Sequence, residues 1–241
     1  MSHTLLLPPY TLYLIPYTLY LPPYTLYLPP YTLYLPPYAL CLTAFPYFCR
    51  MIQLAIFASG AGSNAQQIIQ HFSSSKAVTC ALVVCNKPGA GVIEVAAKAG
   101  IPVLIIEKEA FFRGDAYTAA LHAHGIDFIV LAGFLWKMPA RLVAAYPGKI
   151  INIHPALLPK YGGKGMYGNF VHQAVIAAGE KESGITIHYV DELYDHGNII
   201  FQASCPVLEG DTPATLAQKI HALEHTHYPA VIEKTVLTAK S

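Results

Sequence analysis

Short apolar runs alternate with segments of helical periodicity along residues 51–238, and this alternation limits the possible folds more than any other feature. Buried strands are predicted at 52–58, 78–85, 103–106, 128–132 and 150–153. Helices are predicted between them, at 63–72, 92–99, 116–124 and 139–145. Strands that alternate with helices pair in parallel through crossover connections. The sequence therefore predicts an open, mostly parallel, Rossmann-like α/β sheet flanked by helices.

The pattern changes after residue 154. Two further strands, predicted at 184–190 and 199–207, are joined by a short connection rich in Asp and Gly, which is typical of a hairpin or a mixed edge. Thr212 and Pro213 then predict the start of a last long helix, because a capping oxygen precedes a proline in its first turn. We divide the predicted domain into two halves, 51–150 and 151–238.

The first 50 residues repeat the heptapeptide Leu-Pro-Pro-Tyr-Thr-Leu-Tyr. No Asp, Glu, Lys or Arg precedes Arg50, yet the regular prolines exclude both a membrane-spanning helix and a coiled coil. A signal peptide is disfavoured because no basic amino-terminal region is present. We expect an extended, polyproline-like segment without a fold of its own. Our hypothesis is that this segment is translated tandem-repeat DNA and that Met51 is the native start. The alternative is a real tail that docks on a partner.

The charge balance argues against a nucleic-acid partner. The chain has 15 basic and 14 acidic residues, and Arg50 is the only one of them before Met51, so the predicted domain carries 14 of each.

The five cysteines form no CxxC pair, which favours a reducing, cytoplasmic location. Histidines spaced by two, at 122/124 and 225/227, lie on different faces of the predicted helices. We therefore predict no metal site.

A glycine-rich turn, Gly60-Ala61-Gly62-Ser63-Asn64, follows the first predicted strand. Glycines allow close backbone approach and the amides of a helix start favour an anion, so a phosphate is expected at this turn. The string also fits the G-x-G-x-x-A dinucleotide pattern. That pattern requires an acidic residue at the end of the second strand, and Cys85-Asn86-Lys87-Pro88 contains none. A monophosphate is favoured over a dinucleotide, and a tight turn without a ligand is the other alternative.

Three polar residues could act on an acyl group. Asn152 and His154 lie two positions apart in a predicted strand, so their side chains share a face. Asn152 can donate an N–H to a carbonyl oxygen that gains charge, and His154 can give or take a proton near neutral pH. Asp195 supplies a carboxylate that would stabilise a protonated imidazole. Considered in isolation, such an Asn or His is more often structural than catalytic.

These motifs occur in one order along the chain: the glycine-rich turn, then Leu131-Ala132-Gly133-Phe134, then Asn152-Ile153-His154-Pro155, then Asp191-Glu192-Leu193-Tyr194-Asp195-His196-Gly197. Together they resemble the folate-dependent phosphoribosylglycinamide formyltransferase family, from Met51 to about Leu237. The Asn-x-His-Pro pattern with its distal Asp is shared among enzymes that use 10-formyltetrahydrofolate. The glycine-rich turn points to this family among them.

The resemblance implies transfer of a formyl group from 10-formyltetrahydrofolate, a cosubstrate, to the amine of glycinamide ribonucleotide in purine biosynthesis. It implies catalytic roles for Asn152, His154 and Asp195. It also implies that 51–150 is the nucleotide- and phosphate-binding half and that 151–238 is the catalytic and folate half. Four residues are implied in ribonucleotide binding: Gly62, Ser63, Asn64 and Glu224. Five are implied in folate binding: Leu135, Trp136, Lys137, Met138 and Asn152. We expect no metal, no membrane and no nucleic acid as partners, and a monomer or a homodimer.

Three alternatives to this function stay open. Formyltetrahydrofolate hydrolase shares the Asn/His/Asp set but usually carries an amino-terminal regulatory domain, which the heptapeptide repeat does not resemble. Methionyl-tRNA formyltransferase also shares the set, but it needs a basic surface for tRNA and the predicted domain is neutral. A non-catalytic, Rossmann-like nucleotide-binding domain is the third alternative.

Overall fold

The computed structural model of the chain describes residues 19–21, 24–26 and 50–239. Within the repeat, β1 (Leu19–Leu21) and β2 (Tyr24–Leu26) form an antiparallel pair. The other residues of the repeat lie outside the described part of the chain. The expectation that the repeat lacks a fold of its own therefore stays a prediction.

Residues 50–239 are built around a seven-stranded sheet with the order β5-β4-β3-β6-β7-β8-β9. From β3 to β7 the strands pair in parallel, whereas β8 and β9 are antiparallel to their neighbours. The strands are β3 (Ile52–Ala58), β4 (Val78–Cys85), β5 (Val103–Ile105), β6 (Phe128–Leu131), β7 (Ile150–His154), β8 (Glu182–Tyr189) and β9 (Ile199–Pro206). The predicted mostly parallel sheet with a mixed edge is confirmed. The division predicted after residue 150 falls at the first residue of β7, inside this sheet.

The helices flank the sheet on both faces. They are α1 (Ser63–Phe72), α2 (Gly91–Lys98), α3 (Lys108–Arg113), α4 (Ala116–Ala123), α5 (Ala140–Ala145), α6 (Asn169–Ala177) and α7 (Pro213–Thr238). The predicted helices are present, but α3 and α6 were missed. The six residues of α3 are too few to show a helical period. The start of α6 is obscured because a glycine-rich segment, 162–168, runs directly into it.

The central strand β3 is buried on both faces of the sheet. Leu54 and Ile56 pack in a core cluster that includes side chains of α1, α2, α6 and α7. Ala55 and Phe57 face the other way, into a cluster with α3, α4 and α5. A strand covered on both faces reads as a nearly continuous apolar run, and β3 is apolar except at Gln53, which is why it was recognisable from the sequence.

Helix α7 begins as predicted and reaches back to the sheet. Thr212 caps it, in a capping box with Thr215, and Pro213 occupies its first position. Further along, the hydroxyl of the fully buried Tyr228 donates a hydrogen bond of 2.9 Å to the carbonyl oxygen of Leu131, at the end of β6. Burial raises the pKa of Tyr228 well above its ordinary value, so the hydroxyl stays protonated and available as a donor. This bond ties α7 to the carboxyl edge of the sheet.

The folded contacts extend one residue before the predicted domain start. Arg50 Nη2 donates to both carboxylate oxygens of Asp127, at 3.1 and 3.0 Å. Both side chains are substantially exposed, so this ion pair contributes little to the free energy of folding.

Gly62→Ala is expected to lower the free energy of unfolding by about 1–3 kcal/mol, since Gly62 has a φ of 84° and an added Cβ would lie 2.8 Å from Cα of Val92. Urea unfolding of the full chain measures this difference. Gly60→Ala is the matched control, because a Cβ there meets no atom within 4 Å. Equal stability of the two variants would contradict the prediction.

Candidate active site

A cleft of about 670 Å³ lies at the carboxyl ends of β3, β6 and β7. This edge is where ligands bind in open α/β sheets. The site residues predicted from the sequence all line the cleft: Gly62, Ser63, Asn64, Leu135, Trp136, Lys137, Met138, Asn152, His154, Asp195 and Glu224. The fold therefore brings together, in one cleft, residues that lie up to 162 positions apart in the sequence.

A histidine that the sequence analysis missed orients the Asn152 amide. Asn152 and His188 are paired across β7 and β8, and Asn152 Nδ2 lies 3.1 Å from His188 Nε2. His188 Nδ1 lies 2.8 Å from the Tyr189 carbonyl oxygen, which can only accept, so Nδ1 carries the proton and Nε2 accepts from the amide. Burial lowers the pKa of His188, which favours this neutral form. Asn152 keeps its second N–H for a ligand in the cleft.

His154 is held at the end of β7 with 3% of its surface exposed. Its Nε2 lies 2.8 Å from the carbonyl oxygen of Tyr161, which can only accept, so Nε2 carries a proton. Its Nδ1 faces Asp195 Oδ2 at 3.6 Å. The nitrogen free to exchange a proton is therefore Nδ1, on the side of the carboxylate.

Asp195 lies between two imidazoles. Its Oδ2 accepts the N–H of Gly163 at 2.8 Å, and its Oδ1 lies 3.7 Å from His188 Nε2. The side chain is 12% exposed, so its charge is only partly screened by water. A carboxylate held in this way stabilises positive charge on His154 when that imidazole gains a proton.

The glycine-rich turn leads into the first turn of α1. The first amides of any helix have no intrahelical acceptor, and Gly62, which precedes α1 in a left-handed conformation, has no side chain to cap them. Ser63 and Asn64 begin the helix at the cleft wall. Amides at a helix start attract an anion such as a phosphate.

Glu224 of α7 joins the glycine-rich turn to the last helix. Its Oε2 accepts a hydrogen bond from Asn64 Nδ2 at 2.8 Å. Burial raises the pKa of Glu224, and the Asn64 hydrogen bond and the nearby His221 oppose that rise. The two residues lie 160 positions apart, and no local pattern predicts this direct contact between them.

The segment after β6 forms another wall of the cleft. The Leu135 N–H donates to the Ser59 hydroxyl at 2.9 Å, which joins this wall to the turn after β3. Leu135 is 53% exposed and Lys137 Nζ lies 5.6 Å from the centre of the Tyr194 ring. Trp136 packs beside Phe111 and Phe134, and Met138 is 3% exposed. The wall is largely apolar, as a flat aromatic ligand requires.

The groups that orient the three polar side chains were not predicted from the sequence. They are His188, the Tyr161 carbonyl and the Gly163 amide. The histidine has a possible signal, since it is a polar residue within a predicted strand. The two backbone groups have no such signal in the sequence, because almost every residue type carries a backbone N–H and carbonyl.

The cleft combines an oriented amide, an imidazole and a carboxylate with a turn that favours an anion. A site of this kind in an α/β domain can hold a phosphorylated ligand beside a second ligand whose carbonyl group the amide polarises. The amide can donate to an oxygen that gains charge, and the imidazole can move a proton. The chain belongs to the formyl transferase family, whose model matches residues 52–232.

Relatives in this family carry a more specific name. The chain is 42% identical over 189 residues to the chloroplastic phosphoribosylglycinamide formyltransferase of Arabidopsis thaliana, covering 76% of this chain and 65% of that protein. It therefore spans just under two thirds of the plant relative's length. It is 41% identical over 189 residues to phosphoribosylglycinamide formyltransferase of Bacillus subtilis, covering 76% of this chain and 94% of that protein.

Solved structures agree with these relatives. The crystal structure of phosphoribosylglycinamide formyltransferase from Bacillus halodurans matches with a TM-score of 0.70 and 39% identity, over 78% of this chain and 96% of that one. Glycinamide ribonucleotide transformylase 1 from Geobacillus kaustophilus matches with a TM-score of 0.69 and 37% identity, over 76% and 97% of the two chains.

Proposed function

We propose that this chain transfers the formyl group of 10-formyltetrahydrofolate to the amine of glycinamide ribonucleotide, a step of purine biosynthesis. The observation that carries the proposal is the convergence of Asn152, His154 and Asp195 with the anion-favouring turn in one cleft. The names of the relatives support the choice of the ribonucleotide as formyl acceptor. The choice of 10-formyltetrahydrofolate as donor rests on the resemblance of the sequence motifs. Both are bound as substrates, and the proposal needs no metal.

The proposed reaction exchanges one C–N bond for another. The substrate amine attacks the formyl carbon, and the carbonyl oxygen gains negative charge in a tetrahedral intermediate. The free N–H of Asn152 donates to that oxygen, and protonated His154 stabilises the same charge. The bond from the formyl carbon to the folate nitrogen then breaks. The attacking amine loses a proton and the departing nitrogen gains one, with Asp195 keeping His154 protonated between the two transfers.

The two ends of the cleft suit two different substrates. The first amides of α1 and the side chains of Ser63 and Asn64 would hold the ribonucleotide phosphate. Glu224 would accept a hydrogen bond from the glycinamide part, which is rich in N–H donors. The apolar wall at Leu135–Met138 would hold the folate, so the amine and the formyl carbon would meet near His154. Positioning of this kind can lower a barrier by about 7–11 kcal/mol.

The test is a formyl-transfer assay on the purified full chain that follows tetrahydrofolate release with and without glycinamide ribonucleotide. Release that requires the ribonucleotide supports the proposal. Release at the same rate without it would assign the site to hydrolysis of formyltetrahydrofolate. No release under either condition would leave a nucleotide-binding domain without this chemistry, and would overturn the proposal.

Asn64→Ala is expected to raise the KM for the ribonucleotide by about tenfold, because it removes a polar contact worth ~1.4 kcal/mol and leaves Glu224 buried without its donor. The KM for the folate should stay unchanged. Steady-state kinetics with each substrate varied in turn measures both constants. Gln66→Ala, an exposed position in the same helix, is the control. A rise in both KM values, or in neither, would contradict the assignment of Asn64 to the ribonucleotide.

We infer a cytoplasmic location from the free cysteines Cys80, Cys85 and Cys205, which suit a reducing compartment. Among the residues that the structure describes, no helix is long and apolar enough to cross a membrane. The Arabidopsis relative is named as chloroplastic, so fractionation of cells that express the chain is the direct test.

A further inference from the structure

Residues 161–163 contact two of the three proposed catalytic side chains through backbone groups. The Tyr161 carbonyl accepts from His154 Nε2 at 2.8 Å, and the Gly163 N–H donates to Asp195 Oδ2 at 2.8 Å. Tyr161 has a φ of 57°, in the left-handed region that residues with a side chain rarely adopt. Such a conformation persists where surrounding contacts hold it in place.

A side-chain contact outside the cleft holds Tyr161 in this conformation. Its hydroxyl donates to Glu180 Oε1 at 2.9 Å, and Lys160 Nζ donates to the same oxygen at 2.9 Å. Glu180 lies in the short connection between α6 and β8, so the bond joins the loop to the segment that links these two elements. The Lys160 and Tyr161 hydrogen bonds lower the pKa of Glu180, which keeps it a charged acceptor.

We propose that Tyr161 and Glu180 are a positioning pair that sets the tautomer of His154. Their hydrogen bond holds the Tyr161 carbonyl against Nε2, so the proton stays on Nε2 and Nδ1 is left to exchange a proton beside Asp195. The opposite tautomer would direct a nitrogen lone pair at the carbonyl oxygen and lose the hydrogen bond. Neither side chain lines the cleft, so both act through His154.

The kinetic readout rests on the proposed formyl transfer. Tyr161→Phe removes only the hydroxyl, and Glu180→Ala removes its acceptor. Each is expected to lower kcat about fivefold to tenfold, the effect of one lost hydrogen bond, and to leave the KM for the ribonucleotide unchanged. Glu180→Gln keeps an oxygen acceptor and should restore most of kcat. Lys160→Met is the matched control, because it removes the other contact to the same oxygen without touching Tyr161.

A second readout does not depend on activity. In the ¹⁵N NMR spectrum of the histidine-labelled full chain at alkaline pH, where an ordinary imidazole is neutral, His154 should show a protonated Nε2 and an unprotonated Nδ1. The signals are assigned by their loss in His154→Gln. In Tyr161→Phe and Glu180→Ala the two nitrogens should move towards averaged shifts, and in Lys160→Met they should not.

The outcomes separate the two proposals. An inactive wild-type chain whose His154 tautomer changes in Tyr161→Phe would overturn the formyl transfer and support the positioning pair. An active chain whose kcat and tautomer are both unchanged in Tyr161→Phe and Glu180→Ala would overturn the pair and leave the transfer intact. An equal loss of kcat in Lys160→Met would also overturn it, since the effect would then not pass through Tyr161.

Discussion

His154→Ala is expected to lower kcat for formyl transfer by about 10²–10⁴-fold, the usual contribution of a positioned proton-transfer group. The imidazole is buried at the end of β7, with Nε2 bonded to the Tyr161 carbonyl and Nδ1 facing Asp195, and alanine supplies neither nitrogen. The KM for the ribonucleotide should change by less than about twofold, because the turn before α1, which we propose binds the phosphate, is untouched. Steady-state kinetics on the full chain measures both constants.

The control for His154→Ala is His124→Ala, at an exposed histidine just after α4. Its kcat should match that of the wild type. Turnover retained in His154→Ala would show that the imidazole neither moves the proton nor stabilises the oxyanion, and the proposed mechanism would have to be abandoned.

Asp195→Asn is expected to lower kcat by a similar factor, about 10²–10⁴-fold, although it changes little in size. An asparagine oxygen can still accept from the Gly163 N–H, so the loop should stay in place. What is lost is the negative charge 3.6 Å from His154 Nδ1, which stabilises the protonated imidazole during the transfer. The measurement is kcat for both proteins at one pH, with circular dichroism to confirm that the fold is intact.

Glu192→Gln is the matched control for Asp195→Asn. It removes one negative charge from the same loop at an exposed position that does not line the cleft. We expect its kcat to stay within about twofold of the wild type. If the two variants lost activity equally, the loop's overall charge would explain the effect, and Asp195 would have no specific role.

The strands and helices were predictable wherever a segment was long enough to show its period. Strand β3 and helix α1 have the bounds that the sequence predicts, because the strand is apolar apart from Gln53 and a glycine turn separates the two. Helix α3 was missed because six residues do not complete two turns. The order of the strands in the sheet was not predicted, since it depends on which apolar faces pack together.

The candidate site was predictable in its residue types and not in its contacts. Asn152 and His154 were found because a spacing of two in a strand places both side chains on one face. His188 was missed because its place beside Asn152 follows from the register between β7 and β8, and a shift of one residue would point it the other way. The folate contacts at Leu135–Met138 stay a prediction.

The sequence by itself determined that the domain is an α/β sheet and that amide, imidazole and carboxylate groups lie at strand ends and in loops, because periodicity and residue chemistry are local properties. Only the tertiary structure decided which nitrogen of His154 carries the proton, and which residue orients the Asn152 amide. Both depend on groups that packing and strand register bring near. One is the backbone carbonyl of Tyr161, a residue in the left-handed conformation, and the other is His188, which lies 36 residues from Asn152. A hydrogen bond requires its two atoms within about 3 Å and well aligned, and local sequence preferences do not specify such distances between remote segments.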